Sequence, residues 1–169
     1  MAVTQQLARL SPEQLAVCRG SVEELDKLCS FELLPSSDYL DLDWVPAPLV
    51  GVFELAQVST PILVALRRGL GGDVEINPAY RGRQNTVWEH PVAALEPDIV
   101  AEVARLLGQV ETEAVLAVLP EDATAALLTI DMREFDGHPG PYLHRHFAAL
   151  RDFYAHAARR RLAVAIWWD

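Results

Sequence analysis

Residues 162–168 read LAVAIWW, and they follow directly on an amphipathic segment, residues 141–161. The apolar residues of that segment recur with helical spacing and form one stripe of Leu143, Phe147, Leu150 and Tyr154. Residues 162–168 are apolar on both faces, which is typical of a strand in a sheet interior with cover on both sides. We therefore predict a helix packed on a sheet, with the N-terminal segment, residues 2–10, as the neighbouring strand.

This C-terminal pair predicts one α+β domain over residues 1–169. The domain is expected to be rich in helix, with a small sheet that contains both terminal strands and packs against amphipathic helices. A chain of this length buries roughly 70% of its unfolded surface. Because neighbouring side chains of a strand point to opposite faces, one of Trp167 and Trp168 is predicted to be core. The other is predicted to cover a partner surface or a pocket.

The chain is acidic, with a formal net charge of -10. That charge repels nucleic-acid phosphates and favours a basic protein partner, so we expect no nucleic-acid role. The apolar stretches fall far short of the roughly 20 residues that cross a bilayer, and the N-terminus does not read as a secretory signal. Cys18 and Cys29 have the spacing of neither a disulfide framework nor a metal site. We therefore expect a cytoplasmic protein with reduced thiols, no membrane partner and no cofactor.

Capping residues mark several helix starts. Ser11 stands three residues before Gln14, which is the spacing of a capping box, and Ser21 stands at the same distance from Glu24. Asp43 is expected to cap a third helix that begins near residue 44. Further helices are predicted to begin near residues 60 and 96.

Two regions between these helices are less regular. Residues 73–87 are polar and carry proline and glycine, so we predict a long loop there. Residues 112–130 are predicted as two helical pieces, interrupted at Pro120. The segment 127–132 fits a strand as well as a helix, and periodicity does not decide between them. A turn is predicted at residues 137–141, before the last helix.

Six motifs follow one another in a recognisable order: LSPEQ at 10–14, SVEEL at 21–25, LDLDW at 40–44, LRRGLGG at 66–72, LEPDIV at 95–100 and FAALRDFYAHAA at 147–158. This order resembles the YfbM-like family of small bacterial proteins, a domain of unknown function. The sequence departs from the family pattern at residues 44–48, where prolines replace a plainer helix start, and at 131–135, where the family has a tyrosine-proline element. The resemblance implies an α+β fold and a bacterial, intracellular setting, and it transfers no catalytic residue.

The histidines and aspartates lack the spacing of a metal site. His144 and His146 are two residues apart on the predicted helix, so about 200° of rotation separates their imidazoles. His146 flanks the apolar stripe, and His144 lies on the solvent side. A calcium loop needs a glycine at its sixth position and a glutamate at its twelfth, and the acidic run from Asp38 to Asp43 provides neither. We therefore predict no metal ligand.

The fragment WEHP, residues 88–91, is the most site-like part of the predicted long loop region. It places an aromatic ring, a carboxylate and an imidazole in succession, and long loops in compact domains are often functional. The commoner arrangement is a tryptophan that anchors a loop to the core. Together with the acidic run and the last helix, the fragment defines a candidate binding pocket of Asp41, Asp43, Trp44, Trp88, His90 and His146.

The sequence contains no nucleophile elbow, no paired metalloprotease histidines and no phosphate loop. We therefore assign no catalytic residue and lean against an enzyme. The first hypothesis is a non-catalytic binding or interaction protein, which acts through an acidic surface with exposed aromatic residues and neutralises a basic partner. The second is a small-molecule-binding enzyme or sensor that uses the candidate pocket near Asp43, Trp88 and His90. Both hypotheses leave the oligomeric state open.

Overall fold

One five-stranded sheet and eight α-helices make up the described part of the chain, residues 3–83 and 87–169 of a computed structural model. The strands are β1 (Gln5–Leu10), β2 (Tyr39–Asp41), β3 (Val74–Glu75), β4 (Glu89–Leu95) and β5 (Ala163–Trp168). The helices are α1 (Pro12–Gly20), α2 (Val22–Cys29), α3 (Pro46–Leu55), α4 (Thr60–Gly71), α5 (Pro97–Leu107), α6 (Thr112–Leu116), α7 (Ala123–Thr129) and α8 (Pro139–Arg159). Two short 3-10 helices, Ser36–Asp38 and Pro78–Gly82, complete the set in this part of the chain.

The sheet has the strand order β2-β1-β5-β4-β3, and every neighbouring pair is antiparallel. The C-terminal strand β5 is the central strand, and β1 is its neighbour, with Gln5 opposite Trp168 and Leu10 opposite Ala163. The prediction that the two terminal strands pair in one sheet is confirmed. The same geometry places the start of β1 and the end of β5 at one end of the sheet.

The sheet separates two apolar cores. On one face, Val164 and Ile166 of β5 pack with side chains of α3, α4, α5 and α8. On the other face, Ala163, Ala165 and Trp167 pack with side chains of α1 and α2. Cover on both faces explains why β5 is apolar throughout. Trp167 is core, with 1% of its surface exposed, whereas Trp168 at the strand end is partly exposed.

The two predicted serine caps are present. Ser11 forms a complete capping box, in which its Oγ accepts from the Gln14 backbone N–H at 3.1 Å and its own N–H donates to Gln14 Oε1 at 2.8 Å. Ser21 Oγ accepts from the Glu24 backbone N–H at 3.2 Å. Such caps satisfy backbone donors that have no partner within the helix, so the sequence spacing alone located these two helix starts.

The predicted cap at Asp43 is wrong. The third helix begins at Pro46, its N-cap is Val45, and no side chain caps it. Asp43 lies before this start and adopts a left-handed backbone conformation, with φ of 54°. A capping side chain accepts from the N–H of the second or third helical residue, and here Pro48 occupies the third position and has no N–H. The prolines therefore delay the helix and remove one donor that a cap would satisfy.

The predicted long loop at residues 73–87 contains regular structure. It includes the edge strand β3 and the 3-10 helix Pro78–Gly82, and its residues 84–86 lie outside the described part of the chain. The fragment at 88–91, also predicted as loop, mostly belongs to β4, which begins at Glu89. The proline in this fragment suggested a loop. Proline is tolerated in a strand where the pairing is irregular, and here the β4–β5 register shifts between Glu89 and Ala93.

Of the two alternatives at residues 127–132, helix is observed for residues 127–129, and residues 130 and 131 form a turn. The helix α7 runs through Thr129, and Asp131, with φ of 55°, then turns the chain. The predicted turn at 137–141 is shorter than expected, since α8 begins at Pro139. His138 is its N-cap, and its Nδ1 accepts from the Gly140 N–H at 3.1 Å.

Candidate functional site

Four chain segments meet at the end of the sheet that carries Trp168. Here β1 begins, β2 ends, β5 ends and β4 begins. Backbone hydrogen bonds connect the segments just outside the strands: Gln5 N–H donates to the Asp43 carbonyl at 3.1 Å, and Trp88 N–H donates to the Trp168 carbonyl at 2.8 Å. Residues that are far apart in sequence therefore contribute to the surface at this end of the sheet.

Three of the four tryptophans lie on this surface. Trp88 is 73% exposed and Trp44 is 54% exposed, while Trp168 is partly exposed. The Trp44 indole N–H donates to the Val3 carbonyl at 2.9 Å, which fixes the ring although it faces solvent. The expectation that Trp88 anchors a loop to the core is wrong, because Trp88, which directly precedes β4, holds this position through its backbone N–H while its side chain is largely exposed.

The same surface carries four carboxylates, which belong to Asp41, Asp43, Glu89 and Asp169. Within residues 3–83 and 87–169, none of the four forms an ion pair. Burial raises the pKa of the Asp169 carboxyl, and the nearby negative charge of Asp41 raises it further. We call this surface the tryptophan edge and define it as Trp44, Trp88, Trp168 and these four acidic residues.

Four of the six predicted site residues lie near one another. The Asp43 N–H donates to Asp41 Oδ1 at 2.7 Å, and Trp44 follows directly. The ring of His146 packs against that of Tyr142 at a tilt of 56°, with 4.5 Å between ring centroids. Burial lowers the pKa of His146 and the positive Arg145 lowers it further, whereas Asp43 and Asp41 act in the opposite direction. Burial, and then the carboxylate of Asp43, raises the pKa of Tyr142 to about 12.

Trp88 and His90 lie apart from those four. Three strand spacings, about 14 Å in total, separate the end of β2 from the start of β4. His90 also faces the core on the α1 and α2 side, where its ring packs edge-on against Tyr80 at 5.5 Å. The fold therefore brings the six residues to one end of the molecule, but it keeps Trp88 and His90 apart from the other four.

A groove that the sequence did not reveal adjoins the tryptophan edge at Trp44. It has a volume of about 720 Å³ and lies between the start of α3 and the segment 131–136 that follows α7. Backbone bonds shape that segment: Met132 N–H donates to the Leu127 carbonyl at 2.9 Å, and Phe135 N–H donates to the Met132 carbonyl at 3.0 Å. The groove is lined by Trp44, Ala47, Pro48, Asp131, Met132, Arg133, Glu134, Phe135 and Asp136.

The groove combines an apolar interior with an acidic rim. Phe135 is partly buried and packs on Tyr142, with 4.8 Å between ring centroids. Of the three rim carboxylates, Asp131 pairs with Arg133 at 3.2 Å. Glu134 and Asp136 are exposed and have no ion-pair partner among the described residues. Such a site suits a ligand that carries both apolar surface and positive charge.

A second cavity, of about 480 Å³, lies between α8 and the β1–β2 side of the sheet. Its most buried charge is Arg9, whose Nε donates to Asp38 at 3.1 Å and whose guanidinium lies 4.7 Å above the Phe153 ring. Arg9 also contacts His156 Nδ1 and donates to the Ser37 carbonyl. Because the donors of Arg9 are bonded to groups of the same chain, we interpret the role of this cavity as structural.

Groups with other chemistry are few in the described residues. No group of three or more histidine, cysteine, aspartate or glutamate side chains there is arranged to hold a metal ion. His144 is exposed and lies 3.9 Å from Glu113, away from His146. Both cysteines are buried, and burial raises the pKa of Cys18 to about 11 and that of Cys29 as well. Thiols with raised pKa values are poor nucleophiles at neutral pH.

No helix within residues 3–83 and 87–169 has both the length and the apolar character that a membrane crossing requires.

The comparisons with known proteins concern the fold. No family model matches the chain, and no curated protein does. Among solved structures, the chain is similar to YfbM from Escherichia coli, which is described as a protein of unknown function. The match has a TM-score of 0.59 and 13% sequence identity, and it covers 96% of this chain and 98% of that one. The YfbM-like fold that the motif order implied is therefore confirmed, and the likeness extends to the fold alone.

Proposed function

We propose that the protein is a non-catalytic interaction module that binds a basic protein partner through the tryptophan edge. The observation that carries this proposal is the meeting of three exposed or partly exposed tryptophans with four carboxylates that lack ion-pair partners in the described part of the chain. Elsewhere the acidic side chains of Glu54, Asp73 and Glu75 pair with arginines of the same chain.

The physical basis of the proposal is a division of roles between rings and charges. Tryptophan contributes large binding energies at protein interfaces, because it buries much surface with few rotatable bonds. Unpaired carboxylates around the rings attract a positively charged partner and increase the rate of association. The overall charge of -10 acts in the same direction. We extend the proposal to a cytoplasmic setting, in which the buried thiols of Cys18 and Cys29 stay reduced.

The alternative of a small-molecule enzyme or sensor has less support. It requires Asp43, Trp88 and His90 to converge on one ligand, and three strand spacings lie between the first of these and the others. The raised pKa values of the buried cysteines also argue against thiol chemistry. We therefore propose binding without catalysis.

The four indole N–H groups provide a direct test by nuclear magnetic resonance. We expect a synthetic peptide rich in lysine and arginine to shift the indole signals of Trp44, Trp88 and Trp168. The signal of Trp167 is an internal control, because this ring is buried between the sheet and α2 and should not move. A peptide of equal length with glutamate at the basic positions is the matched negative probe. Equal shifts with both peptides, or no shift with the basic one, would refute the proposal.

A pair of double variants separates a local effect from general charge attraction. Asp41→Asn with Glu89→Gln removes two charges from the tryptophan edge, and Glu102→Gln with Glu121→Gln removes two exposed charges elsewhere. We expect the first variant to bind the basic peptide roughly three- to tenfold more weakly and the second to bind almost normally. Equal weakening in both variants would mean that the peptide responds only to net charge.

A further inference from the structure

The groove between α3 and residues 131–136 combines apolar and aromatic lining residues with three carboxylates and one arginine. Its apolar lining includes the side chains of Ala47, Pro48 and Met132, which carry no charge. The rings of Trp44 and Phe135 line the same space, and the carboxylates of the rim stand around it. Long basic side chains bury their methylene stems on apolar surface while the charged head remains at a polar rim.

We propose that this groove binds the side chain of one arginine of the basic partner and anchors that partner to the tryptophan edge. The inference rests on the proposed function, and it adds the chemistry of the anchoring residue and the place where it binds. Trp44 belongs to both surfaces, so a segment that contacts Trp44 at the tryptophan edge also lies beside the groove.

Arginine fits better than lysine for two reasons. Its planar guanidinium stacks on aromatic rings, and its fork of donors bonds two carboxylate oxygens at once. The rim offers Glu134 and Asp136, whose side chains are exposed and have no ion-pair partner in the described residues. Within the described part of the chain, Arg133 pairs only with Asp131, so the charges of Glu134 and Asp136 leave the rim with a net negative charge.

The chain already uses this combination inside its own fold. The guanidinium of Arg9 lies 4.7 Å from the centre of the Phe153 ring, and its Nε donates to Asp38 at 3.1 Å. An aromatic face and a carboxylate therefore hold an arginine in the second cavity. The groove presents the same two elements to solvent, with no arginine of its own chain stacked between Trp44 and Phe135 in the described residues.

The test uses a synthetic peptide probe in which lysines flank one central arginine. A second peptide replaces that arginine by citrulline, which keeps the shape of the side chain and loses the charge. Both are titrated against the full chain and against the double variant Glu134→Gln with Asp136→Asn, which changes only exposed side chains. We expect citrulline to weaken binding to the full chain roughly three- to tenfold, and to make little difference in the double variant.

The outcomes separate the inference from the function on which it rests. One outcome is that replacing arginine by citrulline weakens binding equally for the unaltered chain and the double variant, while the indole signals of the tryptophan edge still shift. The groove then does not hold the arginine, and the interaction function stands. If a peptide with central lysine binds as tightly as the arginine peptide, the assignment of arginine is wrong. If no basic peptide binds, the proposed function fails together with the inference. The variant Glu102→Gln with Glu121→Gln is the control for loss of charge outside the groove.

Discussion

At the scale of single residues, Asp38 connects the sheet to the end of α8, because it pairs with Arg9 of β1 and with Arg160. Arg9 is 7% exposed, and Asp38 accepts hydrogen bonds from both Arg9, at 3.1 Å, and Arg160, at 2.9 Å. Removing one partner of a buried pair leaves the other charge without compensation, and this is costly in a medium of low polarity. The pair therefore gives a sharp prediction about stability.

We expect Asp38→Ala to lower the free energy of unfolding by about 3 kcal/mol, the lower end of the range for broken buried pairs, since Arg9 keeps its contacts with Ser37 and His156. Denaturant unfolding measures this change. The control is Glu54→Ala, which breaks the exposed pair with Arg67 and is expected to cost about 0–1 kcal/mol. A loss for Asp38→Ala no larger than that of the control would contradict the prediction.

Residues whose role is decided by their immediate neighbours in sequence were predictable. Ser11 and Ser21 cap helices because the groups that they bond lie three residues away. The exposure of Trp88 was not predictable, since it depends on what lies across the sheet from the start of β4 rather than on the adjacent sequence. Asp43 failed as a cap because two prolines downstream changed where the helix begins.

At the scale of elements, α8 carries two histidines whose pKa values are both lowered. For His156 the main cause is the positive Arg9, followed by burial and by Arg160 and Arg159, against the opposing charge of Asp38. For His146 the main cause is burial. A lowered pKa in the folded state means that folding favours the neutral ring. The stabilising contribution is complete above the unfolded pKa of about 6.5 and is lost as the pH falls through the folded values.

We therefore expect the protein to lose stability between about pH 7.5 and about pH 5, and a variant without the two imidazoles to lose less of it. Suitable changes are His146→Gln and His156→Asn, since an asparagine oxygen can replace Nδ1 as the acceptor for Arg9. Urea midpoints at the two pH values measure the loss in each protein. Carboxylates titrate equally in both, so an equal loss in both proteins would show that the histidines contribute nothing.

Elements were predictable in proportion to their length and regularity. The strand β5 and the helix α8 carry six and twenty-one residues, enough for a periodic pattern to appear. The strands β2 and β3 have three and two residues, too few for any period, and both were missed. The strand β4 was missed for another reason, because its proline resembles a loop signal although the irregular register accommodates it.

At the scale of the whole molecule, antiparallel pairing assembles the tryptophan edge. Asp41 ends β2, Trp168 ends β5 and Trp88 precedes β4, so only the strand order brings them to one end of the sheet. Most residues of the tryptophan edge were predicted as site residues from their chemical type, but the prediction placed them in one pocket. It gave no sign of the groove, whose wall at Met132 and Phe135 is formed by an irregular segment without periodic pattern.

If opposite charges bring the partner to the tryptophan edge, binding must depend on ionic strength. Salt screens charges that are separated by more than about 8 Å at 0.15 M, and exposed carboxylates such as Asp41 and Glu89 are fully open to it. We expect an increase in sodium chloride from about 0.05 M to about 0.5 M to weaken the affinity for the basic peptide on the order of tenfold, mainly through a slower association rate. The variant Asp41→Asn with Glu89→Gln should show a clearly smaller dependence, measured by surface plasmon resonance. Contact between aromatic rings and methylene stems is not screened by salt, so part of the affinity should remain at the highest salt concentration. If the affinity of the unaltered chain does not change with salt, the carboxylates take no part in recognition.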